Sequence, residues 1–122
     1  MKLQTKILID MSDKMKIYIS IPIKGLDEQK QRHKADLIAR RLSTQGYQPV
    51  NPFNIYAGRN ADYYDHICAD LRALADCDAV YFCEGWEFSH GCGHELNFVL
   101  RENAAGRKRY KLYFERTWER MD

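Results

Sequence analysis

The segment from Glu84 to Glu95 holds the densest set of residues that could perform chemistry. Gly91 and Gly93 leave the backbone uncovered, so amide groups at a helix start in this segment can approach an anion such as a phosphate. Ser89 is placed either to cap that helix or to bind the same anion. We expect Glu95 in the first turn, where the helix dipole favours the ionised carboxylate that a nucleophile needs. The segment predicts an anion site beside a reactive carboxylate or, more plainly, a well-capped helix.

A second acidic residue, Asp70, is predicted to flank the same strand end as Glu95. Ile67, Leu71 and Leu74 recur at helical spacing, and at about 100° per residue Asp70 lies on the border of this apolar stripe. Retaining glycosyl transfer uses two carboxyl groups about 5–5.5 Å apart, one attacking the anomeric carbon and the other handling protons. The two acids are therefore a candidate pair for that chemistry, unless Asp70 is a surface acid and Glu95 only compensates the helix dipole.

Alternating strands and helices are predicted to position these residues. Apolar side chains at helical spacing on one side of Asp27–Gln45 make this the clearest helix, and Gly46 is placed to end it. Further helices are expected over Asp62–Ala75 and from near Gly91 through Leu100. Short apolar or aromatic runs predict four strands, at Ile17–Ile21, Tyr47–Phe53, Ala79–Cys83 and Arg109–Phe114.

Strands that alternate with helices need right-handed crossover connections, which produce a parallel sheet. We therefore expect an α/β fold: a three-layer, flavodoxin- or Rossmann-like open parallel sheet of four or five strands with helices on both faces. Ligands in such folds bind beyond the carboxyl ends of the strands. The candidate walls of a site are the loops after Ile21, Phe53, Cys83 and Phe114.

The loop Asn51–Asp62 is longer than most connections in compact domains. Loops of this length either cover a ligand site or simply run over the surface. Tyr56 and Arg59 are its candidate ligand contacts.

Composition limits the classes of protein that fit. The 122 residues suffice for one domain, which we place at residues 15–122, with residues 1–14 as a leader or an extra edge strand. A net charge of +2 does not indicate nucleic-acid binding, and three cations at Arg107, Lys108 and Arg109 are more typical of a solvated turn. The longest apolar runs are only a few residues, too short for a membrane span, so neither a span nor a signal peptide is predicted.

The four cysteines contain no CxxC pair and are expected to be reduced, mostly buried thiols of a cytoplasmic protein. His90, Cys92 and His94 converge poorly for metal binding at a helix start, and no fourth ligand is evident, so no metal is predicted.

Several of these residues together resemble the nucleoside 2-deoxyribosyltransferase superfamily. The resemblance is carried by Tyr18 in Ile17–Ser20, by Asp70 in Asp70–Leu74, by Asp78 before the third strand, and by Ser89-His90-Gly91-Cys92-Gly93-His94-Glu95. It extends over about Lys16 to Val99. Ser89 stands where deoxyribosyltransferases usually carry Asp, so the sequence looks closest to the branch that hydrolyses nucleoside 5′-monophosphates.

The resemblance implies a role for each matched residue. Glu95 would be the nucleophile on C1′, Tyr18 would orient it, and Asp70 would position the sugar or protonate the departing base. The phosphate would be held by residues from two loops, with Lys24 as counter-charge where the hydrolases often have Arg: Ser20, Lys24, Gly25, Ser89, Gly91 and Gly93. Relatives complete the pocket across a dimer interface, so a homodimer or higher homo-oligomer is expected.

The sequence thus predicts an enzyme that hydrolyses or transfers the N-glycosidic bond of a small-molecule nucleotide without a cofactor. The loop Asn51–Asp62 matches no base-recognition motif, so the base stays open. A non-catalytic nucleotide-binding or sensing module with the same fold is the main alternative, and a structural or interaction protein is the third.

Overall fold

A computed structural model describes residues 14–115, within which four strands alternate with three helices. In chain order these are β1 (Lys16–Ser20), α1 (Glu28–Thr44), β2 (Gln48–Val50), α2 (Tyr63–Ala75), β3 (Ala79–Phe82), α3 (His90–Ala104) and β4 (Lys111–Phe114), with short 3₁₀ turns at Pro52–Asn54 and Trp86–Phe88. Apart from Lys14, the leader or edge strand predicted over residues 1–14 lies outside the described residues.

The strands form one open, all-parallel sheet in the order β2-β1-β3-β4. This confirms the predicted α/β, Rossmann-like class, with four strands in the described part of the chain. β2 lies at an edge, where Pro49 is tolerated because a proline cannot donate to a central ladder. It is shorter than the predicted strand Tyr47–Phe53, since Pro52 already begins a 3₁₀ turn.

Alternation along the central strands divides the core into two layers of side chains. In β1, Ile17 and Ile19 point to one face and pack with Ile38 and Leu42 of α1. Tyr18 points to the other face, where the buried side chains of α2 and α3 include Leu74 and Val99. The sheet is thus covered on both faces, with α1 on one side and α2 and α3 on the other.

The helix ends follow local sequence signals. Asp27 accepts a hydrogen bond from the Lys30 amide at the start of α1, and Gly46 follows that helix with φ of +94°, a conformation that favours glycine. Asp62 and Asp65 form a reciprocal capping box at the start of α2. The predicted helix boundaries therefore hold to within about one residue at these positions.

Three of the four thiols are packing residues, as expected. Cys77, Cys83 and Cys92 are buried, whereas Cys68 is exposed on α2. Burial raises the pKa of the Cys77 thiol to about 11, which keeps it in the unreactive protonated form.

No helix within residues 14–115 combines the length and the apolar character that crossing a bilayer requires.

Candidate active site

A cavity of about 620 Å³ lies at the carboxyl ends of β1, β2 and β3, where parallel α/β sheets bind ligands. Its walls come from the loops after these three strands, from the start of α3 and from one side of α2. The fourth predicted wall, the chain after Phe114, lies beyond the described residues except for Glu115.

Glu95 is buried at the floor of this cavity, with 5% of its surface exposed. The Tyr18 hydroxyl donates to Glu95 Oε2 at 2.5 Å and the Ser20 hydroxyl donates to Oε1 at 2.6 Å. Both donors point the same way because they are alternate residues of one strand. Each carboxylate oxygen therefore has its own hydroxyl donor, which fixes the orientation of the group.

The electrostatic environment of Glu95 differs from the sequence expectation. Glu95 is the sixth residue of α3, in the second turn, and α3 has no acidic residue in its first turn. The helix dipole acts mainly within the first turn, so its help in ionising Glu95 is small. Burial raises the pKa of Glu95 to about 7; the Ser20 and Tyr18 hydroxyls oppose this increase, and the negative charge of Asp70 adds to it.

Asp70 lines the same cavity, on α2. Burial raises its pKa to about 6, and the nearby His66 opposes that increase. The negative charge of Asp70 adds to the raised pKa of Glu95, to which burial contributes most. The pair can therefore hold a proton and a negative charge together near neutral pH.

α2 presents a continuous stripe to the cavity. Tyr63, His66, Ile67 and Asp70 all line it, at the i, i+3, i+4 and i+7 spacing of one helix face. The apolar spacing instead predicts Ile67 in a buried stripe with Leu71 and Leu74, and of these three only Leu74 is fully buried. The same spacing counted back from Asp70 was the signal that could have identified the cavity face.

The free amides in the first turn of α3 are not the ones predicted. Ser89 caps the helix by accepting from the Cys92 amide at 3.2 Å, and the Gly93 amide donates to the Ser89 carbonyl at 2.9 Å. The amides of His90 and Gly91 remain, since no carbonyl precedes them within the helix. The candidate anion donors are thus His90 and Gly91 instead of Gly91 and Gly93.

The other residues predicted to hold a phosphate fall in three different places. Lys24 lines the cavity, with its ammonium 4.9 Å from the centre of the Tyr63 ring. Ser20 is fully buried beneath Glu95 and orients that carboxylate. Gly25 is exposed with φ of +82° and is not part of the cavity wall, so it serves the turn after β1.

The long loop after β2 contributes wall residues other than the predicted Tyr56 and Arg59. Phe53 and Ile55 line the cavity, whereas Tyr56 is 80% exposed and, like Arg59, lies outside the wall. Phe53 could have been found from its position directly after a strand, at the carboxyl edge.

Two further wall residues, Glu28 and Arg32, come from α1. The Arg32 Nε donates to Glu28 Oε2 at 3.0 Å, and the Arg32 guanidinium lies 4.8 Å from the centre of the Phe53 ring. Their i, i+4 spacing resembles any exposed helix pair. Nothing local to α1 indicates that they face a cavity.

The remaining motifs have ordinary structural places. Within residues 14–115 no three His, Cys, Asp or Glu side chains gather as metal ligands. In the basic turn, Arg107 pairs with Glu102 at 2.7 Å and the Lys108 ammonium donates to the Ala75 carbonyl at 2.8 Å. The latter bond satisfies a carbonyl at the end of α2.

Comparison with known proteins places the chain in a family. A search of curated proteins finds no match. The model of the family described as "Domain of unknown function (DUF4406)" matches residues 15–104, a range that runs from before β1 to the end of α3. This range contains every residue predicted for the site and covers most of the chain, so the protein belongs to the DUF4406 family.

Proposed function

We propose that this protein breaks the N-glycosidic bond of a nucleoside 5′-monophosphate, by hydrolysis or by transfer, through a covalent glycosyl intermediate on Glu95. One observation carries the proposal: a carboxylate held on both oxygens by hydroxyl donors shares a cavity with a second carboxyl group. Two carboxyl groups of different environment are the machinery of retaining glycosyl transfer.

In the first step, the ionised Glu95 attacks C1′ and the bond from C1′ to the base nitrogen breaks. Asp70 donates its proton to the departing base; since Glu95 has the higher pKa in the ligand-free protein, about 7 against about 6, this step uses the minor form of the pair in which the proton lies on Asp70. The products of this step are the free base, the Asp70 carboxylate and a glycosyl ester of Glu95.

In the second step, water or another base attacks C1′ of the ester. Asp70 takes the proton released by the attacking group, and the ester bond to Glu95 breaks with its electron pair returning to the carboxylate. Both acids are restored to their starting state. Tyr18 and Ser20 hold the carboxylate throughout, and their hydrogen bonds favour its ionised form.

The phosphate is assigned to the start of α3 and the loop after β1. The amides of His90 and Gly91 and the hydroxyl of Ser89 suit phosphate oxygens, and Lys24 supplies a cation on the same cavity wall. The resemblance to the monophosphate hydrolases, which also carry serine at this position, points the same way.

A homodimer is part of the proposal, because the families that the sequence resembles complete their pockets with a second subunit. Phe88, at the cavity wall, is 90% exposed and is available to such a contact. Light scattering should give about twice the 14.4 kDa chain mass; a monomer at working concentration contradicts a shared site.

The reaction is tested by chromatography of ribo- and deoxyribonucleoside monophosphates incubated with the wild type and with Glu95→Gln. We expect free base from the wild type and a loss of at least about 100-fold in the variant, because the amide cannot form the ester. Glu87→Gln is the matched control, since Glu87 is an exposed acid outside the cavity wall.

Two outcomes contradict the proposal. Equal base release by the wild type and Glu95→Gln rejects Glu95 as nucleophile. Thermal stabilisation by monophosphates without turnover identifies a nucleotide-binding module instead.

A further inference from the structure

The cavity has two ends that differ in chemistry, and the strand order separates them. Ser89 follows β3 and Phe53 follows β2, while β1, which holds Glu95 through Tyr18, lies between these strands. Two strand spacings amount to about 10 Å. The start of α3 and the Phe53 wall therefore stand on opposite sides of the nucleophile.

A nucleotide has the same arrangement, with its base and its 5′-phosphate on opposite sides of the sugar. If the phosphate lies at the start of α3, as proposed above, the base extends toward Phe53. This inference rests on that proposed function, because it places C1′ of the sugar beside the Glu95 carboxylate.

Arg32 is held in a defined orientation at the Phe53 end. Its Nε donates to Glu28 at 3.0 Å, and its guanidinium lies over the Phe53 ring at 4.8 Å. The two terminal amino groups of Arg32 make no hydrogen bond within residues 14–115. Together they form a planar fork of donors. The Arg32 side chain is 51% exposed and that of Glu28 is 62% exposed, so a ligand can reach both.

A planar guanidinium fork matches two acceptors side by side. The N7 and O6 atoms of a 6-oxopurine such as guanine or hypoxanthine provide that pair, and arginine binds them in bidentate fashion. Adenine offers N7 beside an amino donor, which repels the guanidinium, and pyrimidines have no N7.

We infer that Arg32, held by Glu28 and Phe53, is the base-specificity residue of this site and that the preferred leaving group is a 6-oxopurine. Glu28 is a positioning residue, because it occupies Nε and leaves the terminal fork to the base. The Phe53 ring lies against the guanidinium and attracts its positive charge, which favours this position of the side chain.

The experiment compares guanosine, inosine, adenosine, cytidine and uridine 5′-monophosphates, in ribo and deoxy forms, on the wild type, Arg32→Gln and Arg40→Gln. We expect kcat/KM for the guanine and hypoxanthine nucleotides to exceed the others by about 10- to 100-fold, and Arg32→Gln to remove that advantage. In Arg32→Gln the side-chain amide can pair with N7 and the amino group of adenine, so kcat/KM for the adenine nucleotides should be maintained or rise, whereas Arg40→Gln should leave it within about threefold of the wild-type value. Arg40→Gln is the matched control, because Arg40 is an exposed arginine of α1 outside this cavity.

Several outcomes overturn the inference. A preference for adenine or a pyrimidine contradicts it, and so does a 6-oxopurine preference that survives Arg32→Gln. An equal loss for every monophosphate, with free nucleosides unaffected, assigns Arg32 to the phosphate instead.

Calorimetric binding of guanosine and adenosine monophosphates to Glu95→Gln, with and without Arg32→Gln, tests the base preference without turnover. Tighter binding of the guanine nucleotide that depends on Arg32 supports the specificity role even if no base is released. Equal binding of the two nucleotides rejects it even if the proposed reaction occurs.

Discussion

At the scale of single residues, the site combines a reactive group with an environment that opposes its charge. Glu95 is almost fully buried, and burial outweighs the two hydroxyl donors, so its pKa rises to about 7. Tyr18 experiences the same environment: burial raises the pKa of its phenol well above the ordinary value, and the neighbouring carboxylates add to this effect. Tyr18 therefore keeps its proton and serves Glu95 as a hydrogen-bond donor.

The buried Glu95 should make the protein less stable as the pH rises. Its pKa of about 7 in the folded state exceeds the ordinary 4.5, so the folded state holds this proton more tightly than the unfolded state. The contribution is fully present below the ordinary pKa and is lost as the pH rises through the folded value, by about 3 kcal/mol in total. Glu95→Gln has no proton to lose and should escape this loss.

Urea unfolding between about pH 5 and pH 8 measures the effect. The free energy of unfolding of Glu95→Gln relative to the wild type should rise over this range, whereas Glu87→Gln should follow the wild type. Parallel curves for Glu95→Gln and the wild type would mean that the folded carboxyl group titrates normally. Because this readout needs no substrate, it also establishes that Glu95→Gln is folded.

At the scale of elements, the start of α3 both ends a loop and faces the cavity. Ser89 caps the helix through the Cys92 amide and lines the cavity wall. Asp27 performs the same capping at α1 through the Lys30 amide, but it is not part of that wall. Comparing variants of these two caps therefore distinguishes the effect of capping on stability from an effect on ligand binding.

Ser89→Ala and Asp27→Ala should each lower the free energy of unfolding by about 1 kcal/mol, because each leaves a helix-start amide without its acceptor. Only Ser89→Ala should also weaken monophosphate binding, by about tenfold, through the loss of a ligand hydroxyl. Chemical denaturation and calorimetric titration measure the two effects. Equal affinities in the two variants would limit Ser89 to capping.

The elements were predictable to different degrees. The helix predicted over Asp27–Gln45 is observed at Glu28–Thr44, because its cap, its apolar stripe and its terminal glycine are all local signals. The strand predicted over Tyr47–Phe53 is reduced to Gln48–Val50, because its length depends on pairing with β1 as well as on its own residues. On α2, the prediction that Ile67 is a core residue is wrong, because it lines the cavity. Periodicity identifies an apolar stripe on a helix but does not show whether the stripe faces a core or a cavity.

At the scale of the whole molecule, one sheet connects two core layers and carries the cavity at its edge. Leu42 packs on one face and Leu74 on the other, and both are fully buried. β1 and β3 contribute side chains to both layers. The layers should therefore unfold together.

Leu42→Ala and Leu74→Ala should each lower the free energy of unfolding by about 2–5 kcal/mol, because each leaves a cavity in a closely packed layer. Far-ultraviolet and near-ultraviolet circular dichroism should show one shared transition in both variants. Leu37→Ala is the control, since Leu37 is 49% exposed on α1 and its loss should change little. Separate transitions for the two signals would show that the layers are independent.

Features made by near neighbours were available from the chain alone: the alternation of strands and helices, the caps at Asp27 and Ser89, and a candidate acid at Glu95. A cap or an apolar stripe is formed by residues a few positions apart, so it can be recognised from a short stretch of sequence. The hydroxyl donors to Glu95 lie 77 and 75 positions away, and Arg32 meets Phe53 from a different element. These contacts, and the raised pKa of Glu95, arise when the helices close over the sheet, because burial and charge proximity depend on distances in space.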